Sequence, residues 1–382
     1  MFVPLQVLAQ GEVVGPRLNL PGSQQLAPAF FGLLTFALLV ALVAALLIRR
    51  NRARSGHRPR PVLSIVVAVA ALAALAMTVV SWPPGFRSPE FPPVGRLFPD
   101  EAFFYRTAQD LPVSPDSDRW LSSLGEIELS AGFGGEPVDG IVFGIPFNPV
   151  DRTTSTTDVE FRRRADRSCG EPYPISDPAY IESMPNHGSD NHYVALDRSA
   201  GTMWELIGTT VWFGRWQADA GACWDLGSLA YGGPATTASR LPLLPGVLSY
   251  DEVAAGSVDH VVWAGAQQIS SGDPIWPALD SDGRSDAPDA PPMGAWLRLR
   301  DDVDLSGLGP QATVIAQGLQ RHGLILADTS GSPLNLRGTP DGRWDRADLR
   351  SIRQLTPADF EVVDPAAVVV APDSMAARPP AG

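Results

Sequence analysis

Two long apolar runs bracket a cluster of arginines near the N-terminus, and no other feature restricts the architecture as strongly. Residues 29–48 form a stretch without charge whose one polar member is Thr35, long enough as a helix to cross about 30 Å of hydrocarbon. A second run, 62–80, has only Ser64 and Thr78 as polar members and ends against Trp82, a side chain suited to the membrane interface. Between the runs stand Arg49, Arg50, Arg52, Arg54, Arg58 and Arg60, with no acid among them. Basic loops stay on the cytoplasmic side. The expected topology is therefore a two-pass cell-membrane hairpin: an extracytoplasmic segment 1–28, a transmembrane helix 29–48, a cytoplasmic loop 49–61, a second helix 62–82, and the remainder outside the cytoplasm. A cleaved signal peptide fits less well, because the first 28 residues contain a single basic side chain, Arg17. Alanines crowd the second run, so the bilayer is joined as an expected partner by a second copy of the chain, packed helix against helix.

The chain of 382 residues has 29 basic and 42 acidic side chains, a formal charge of −13. Residues 1–80 hold seven of the basic groups and one acid, Glu12, which leaves 22 against 41, or −19, for the rest. A body so acidic repels phosphate backbones, and nucleic acid is excluded as a partner. Every basic residue is Arg. Without lysine there is no Schiff base, no covalent pyridoxal phosphate site and no P-loop. Cys169 and Cys223 are the only cysteines, an even pair expected to be bridged outside the cytoplasm. No cysteine–histidine spacing suits structural zinc.

After residue 82 a Pro-rich linker is expected over 83–97, a β-rich domain over 98–364 and a disordered tail over 365–382. Short apolar runs alternate with Gly, Pro, Asp and Ser clusters, which predicts strands over 140–145, 159–163, 192–196, 203–208, 258–264, 295–300 and 324–328. The fold class is mainly β, a sandwich or jelly roll with two or so short helices. The helices are expected at 310–322, which opens on Pro310 and closes on Gly323, and at 346–354, capped by Asp345.

The succession FPDEAFFYRTAQDLPVSPDSDRWLSSLG (98–125), GIPF (144–147), EPYPI (171–175), the pair HYVALDR and MWEL within 192–206, LPLLPGVLSYDEVAAGSVDHVV (241–262), PPMGAWLRLR (291–300) and LQRHGLILADTSG (319–331) resembles a family of secreted or surface bacterial β-rich proteins with no established biochemical activity. The resemblance implies an extracellular β domain and brings no catalytic residues with it.

Candidate chemistry centres on the hairpin around 190–207, where a His, an Asp, an Arg, a Trp and a Glu lie close together. His192 and His260 sit at inward strand positions and could serve as acid and base. With Arg240 and Tyr250 they define a carbohydrate-active reading, a polysaccharide lyase or glycoside hydrolase. Tyr193, Trp204, Trp212, Trp216 and Trp224 could instead stack on sugar rings as a ligand-binding platform. Asp280, Asp282 and Asp286 surround Gly283 as oxygen ligands suited to calcium, the one cofactor considered. The function expected is a membrane-anchored envelope protein that binds a cell-wall glycan or another protein without catalysis, with the enzyme as the alternative.

Overall fold

The computed structural model describes residues 89–379 apart from 136–142, 171, 183–189, 213, 233–235 and 332–333, together with the backbone of Arg17–Asn19. The two apolar runs and the arginine loop lie outside the described residues. Among those described, no helix is long and apolar enough to cross a membrane.

This region is mainly β, with several sheets, one of them curled into a half-barrel, and a few short helices. The largest sheet has six strands in the order Phe360–Val363, Trp296–Leu299, Leu324–Thr329, Val262–Ala266, Leu334–Leu336 and Leu129–Ser130. Its pairing is mixed: Val262–Ala266 runs parallel to Leu324–Thr329 and antiparallel to Leu334–Leu336. Alternation along the strands divides the side chains between two cores. Val262, Leu297, Leu324 and Leu326 face one cluster, whereas Trp263, Trp296 and Ile325 face another.

Helix Pro310–Arg321 covers the first of these faces. Ala312, Ile315, Ala316 and Leu319 recur at helical spacing and are buried against the sheet leucines. Proline at the first turn needs no N–H partner, and Gly323 leaves the helix at φ 76°. The second expected helix is shorter, Arg346–Arg350, and tightens into the 3-10 turn Ser351–Gln354. Asp345 caps it by accepting from the backbone N–H groups of Ala347 and Asp348. Two more helices, Ser117–Leu124 and Tyr250–Ala255, form where no helix was expected. The second carries a reciprocal capping box between Ser249 and Glu252.

A four-stranded sheet, Ala220–Asp225, Thr202–Ile207, Tyr193–Asp197 and Asn148–Pro149, contains the anticipated hairpin. Val194, Leu196, Met203, Ala222 and Trp224 face the aromatic cluster shared with the six-stranded sheet. Tyr193, Ala195 and Leu206 face a third cluster with Tyr173, Ile181, Trp216 and Ala218. The strand expected over 258–264 begins only at Val262, because Val261 donates its N–H to Phe104 O (2.7 Å) instead of a sheet partner. Of the strand expected over 140–145, residues 140–142 lie outside the described residues and 143–145 are not strand.

Both expected boundaries of the domain move outward. Residues 89–97 do not hang free as a linker: Phe91, Val94 and Leu97 are buried with Phe98 in the aromatic cluster. The strap is also bonded, Phe91 N–H donating to Asp341 Oδ2 (2.9 Å) and the hydroxyl of Tyr105 accepting from the N–H of Leu97 (2.8 Å). Nor is the C-terminal segment disordered up to residue 379. Val368, Met375 and Ala377 are buried, Met375 O accepts from Phe103 N–H (2.9 Å), and Trp276 Nε1 donates to Ser374 O (3.1 Å). Proline content suggested extension in the first segment and disorder in the second, but a Pro-rich chain can dock by side-chain burial as well as by pairing. Met375→Ala is expected to lower unfolding stability by about 2–5 kcal/mol, the cost of a buried cavity. A change within about 0.5 kcal/mol in a denaturant titration would mean that the tail does not pack.

Candidate functional site

Charged side chains collect where the hairpin sheet meets the six-stranded sheet. His192, immediately before strand Tyr193–Asp197, shares the inward parity of Val194, and Glu205 lies opposite Val194 in the antiparallel register. Glu182 follows strand Ala179–Ile181. All three are at most 2% exposed, and buried charge requires partners. The chain supplies them. His192 Nδ1 contacts Glu182 Oε2 closely, and the backbone N–H of His192 donates to the same oxygen (2.9 Å). His192 Nε2 reaches Thr236 O at 3.0 Å. Thr236 Oγ1 donates to Glu205 Oε2, and Leu243 N–H donates to Glu205 Oε1 (2.7 Å). Thr236 thus joins the two acid–base groups.

From the six-stranded sheet, buried Arg337 approaches Asp328 at 3.9 Å. Gly265 makes room for this crossing, since a Cβ there would stand 2.8 Å from Ser330 Cβ and 3.2 Å from Arg337 Nη2. Two non-glycine residues near the network have left-handed backbone, Asn191 at φ 46° and Arg240 at φ 60°. Such conformations persist only where surrounding contacts hold them.

The electrostatics follow from these contacts. Burial alone would depress the imidazolium of His192, but the adjoining Glu182 carboxylate outweighs it and holds the group up to about 10. Burial would likewise raise Glu182, and His192, seconded by Arg337, brings it below its ordinary range. Glu205 is pushed upward by burial, only partly offset by its bonds from Thr236 and Leu243. The pair is ionised at neutral pH and both ring nitrogens are occupied, so His192 is held as a structural cation with no nitrogen open to a substrate.

The other expected residues go elsewhere. His260 Nε2 contacts Glu252 Oε2 at 3.0 Å in the first turn of helix Tyr250–Ala255, and its Nδ1 contacts Val261 O at 2.8 Å. Burial lowers it and Glu252 more than compensates, so it too is raised. The Tyr250 ring lies under the Arg343 guanidinium at 4.4 Å and edge-on to Trp344 at 5.5 Å. His192, His260 and Tyr250 therefore each have separate partners. Arg240 occupies the turn after Thr237, whose carbonyl accepts from its N–H (3.2 Å).

Of the proposed sugar platform, Tyr193, Trp216 and Trp224 are buried core rings and Trp204 is half-buried. The side chain of Trp212 lies outside the described residues. The expected calcium ligands are dispersed: Ser281 N–H donates to Asp280, Thr329 Oγ1 to Asp282 (2.7 Å) and Ser271 Oγ to Asp286 (2.8 Å). Among the described residues no three metal-ligating side chains gather as a site. Glu182, Thr236 and Arg337 escaped the sequence reading because they come from three distant segments. Glu205 had a legible signal, a carboxylate at the inward parity of Met203. Comparison with protein-family models, curated proteins and solved structures returns no match.

Removing one member of the pair strands a buried charge. Glu182→Gln or His192→Asn is expected to cost about 3–5 kcal/mol, and the double variant clearly less than the sum. Additive losses in a double-mutant cycle would deny the coupling. For pH, Glu182 stabilises above its ordinary value of 4.5, and this is lost as pH falls through its lower folded value. His192 stabilises in full below 6.5, and this is lost as pH rises toward about 10. Raised Glu205 adds a loss of its own as pH climbs above 4.5. Unfolding free energy should therefore peak between about pH 4.5 and 6.5, with a flatter alkaline limb in the His192→Asn variant. An unchanged alkaline limb would assign the pH dependence to other groups.

Proposed function

We propose that the protein is a two-pass membrane-anchored component of the cell envelope. Its β-rich body stands outside the cytoplasm and binds a glycan or another protein without catalysis. The observation that carries this reading is the disulfide between Cys169 and Cys223, 54 positions apart in the chain. Disulfides persist in oxidising compartments, and this one lies in the part of the chain that the arginine loop at 49–60 assigns to the outer side. The membrane helices, with their alanine-rich second run, offer a route to homo-oligomers. On this reading the two sheets that face each other across the aromatic cluster are the layers of a β-sandwich, and the chain is kin to the secreted or surface β-rich proteins that its segments resemble.

Absence of catalysis is supported by the state of the acid–base groups. A lyase or hydrolase needs an acid and a base open to one cleft, whereas His192 is tied to Glu182 and Thr236, and His260 to Glu252 and Val261. Core burial of Tyr193, Trp216 and Trp224 moves the search for a ligand surface away from them.

Protease added to intact cells should remove the body while sparing the arginine loop, and thiol-reactive polyethylene glycol should label the denatured chain only after reduction. A fully protected body, or two thiols that label without reductant, would overturn the placement. Cys169→Ser with Cys223→Ser should lower stability by about 4 kcal/mol, the loop-closure entropy of a ring of this length.

A further inference from the structure

Residues 162–167, Arg-Arg-Arg-Ala-Asp-Arg, are all exposed and follow strand Val159–Phe161. They form the densest run of positive charge in a body whose net charge is −19. Arginine-rich surface loops are ordinarily mobile, but this one is fastened at several points. Arg162 N–H donates to Ala218 O (2.8 Å), Arg164 N–H to Asp219 O (3.0 Å), and Gly221 N–H to Ser168 Oγ (3.0 Å). The disulfide from Cys169 to Cys223 then ties the loop covalently to the hairpin sheet. Inside the loop, Arg164 O accepts from Arg167 N–H (3.1 Å) and from Ser168 Oγ (2.8 Å), closing a turn.

Only part of the arginine charge is spent on internal pairing. Asp219 takes Arg162 at 3.0 Å and the Nε of Arg163 at 3.3 Å. Arg162 also donates to Gly208 O and so belongs to the fastening. Among the described residues no ion pair or hydrogen bond engages the guanidinium groups of Arg164 and Arg167. The forks of Arg164 and Arg167, and the Arg163 guanidinium held to Asp219 through Nε alone, are thus presented on a prearranged loop, the geometry that takes oxyanions bidentately.

We propose that this loop is the site at which the body binds a uronate-bearing polysaccharide, its carboxylates taken by Arg163, Arg164 and Arg167. The proposal rests on the binding-module reading and names its ligand class. A lipid surface is disfavoured because such docking inserts large apolar side chains. The large apolar residues exposed among those described, Val113 and Val370, are far from the loop in sequence. A densely charged phosphate polymer is disfavoured because Asp166 and Asp219 halve the local charge, and the acidic body repels a polyanion more strongly the denser its charge. Carboxylates spaced along a sugar chain suit separate, directional forks.

The test compares binding of the full-length, detergent-extracted chain to immobilised polygalacturonate, to neutral dextran and to phosphatidylglycerol vesicles. The native chain should prefer polygalacturonate and weaken with salt. Arg163→Gln, Arg164→Gln and Arg167→Gln combined should lose about tenfold or more in affinity, and Arg350→Gln with Arg353→Gln, in helix Arg346–Arg350 and the turn after it, should lose none. Because the three altered side chains are exposed, an unchanged thermal unfolding midpoint confirms the fold of the triple variant. Native affinity in the triple variant, or preference for vesicles, overturns the proposal. Equal retention of native and triple variant on dextran leaves a glycan-binding module and removes this site from it. No retention on either polysaccharide removes both.

Discussion

Strand Tyr193–Asp197 is buried along its whole length, with a core cluster on each face. That double burial governs what its polar neighbours do. A half-exposed hairpin could have turned His192 or Glu205 to water. Here each inward polar side chain meets either an apolar wall or another charge, and low dielectric makes an unpaired group costly. Glu182 and Arg337 are brought in from neighbouring elements to neutralise the seam, and Thr236 closes the remaining valences of both His192 and Glu205.

The aromatic cluster is the second consequence of the same layering. Phe103 and Phe104 stack within 4.2 Å and touch Trp263 and, through Phe103, Trp296 from the six-stranded sheet. Phe98 adds Trp224 from the hairpin sheet at 6.5 Å. Rings of this size fill the space between two twisted sheets that smaller side chains would leave open. The Pro-rich segment before Phe98 and the tail around Met375 close the rim of this layer, which is why neither end is free.

On the proposed reading, binding lies outside this core. Residues that looked chemical in the chain, His192, Tyr193, Trp216 and Trp224, carry packing and pairing loads. The candidate binding groups are instead Arg163, Arg164 and Arg167, too polar to be drawn into a core and on a loop held in place by backbone bonds and a disulfide.

Sequence alone determined the β-rich character, the hairpin, and helices Pro310–Arg321 and Arg346–Arg350, because periodicity, caps and turn residues are local signals. It also made Cys169 and Cys223 the expected bridge, which the structure contains. Tertiary structure alone decided that the hairpin is covered twice, that His192 answers to Glu182 and Thr236, that Asp280, Asp282 and Asp286 part company, and that both termini of the body dock. The physical reason is the same in each case. Which groups meet across layers depends on contacts between residues tens to hundreds of positions apart, and no local pattern encodes the partner of a buried charge.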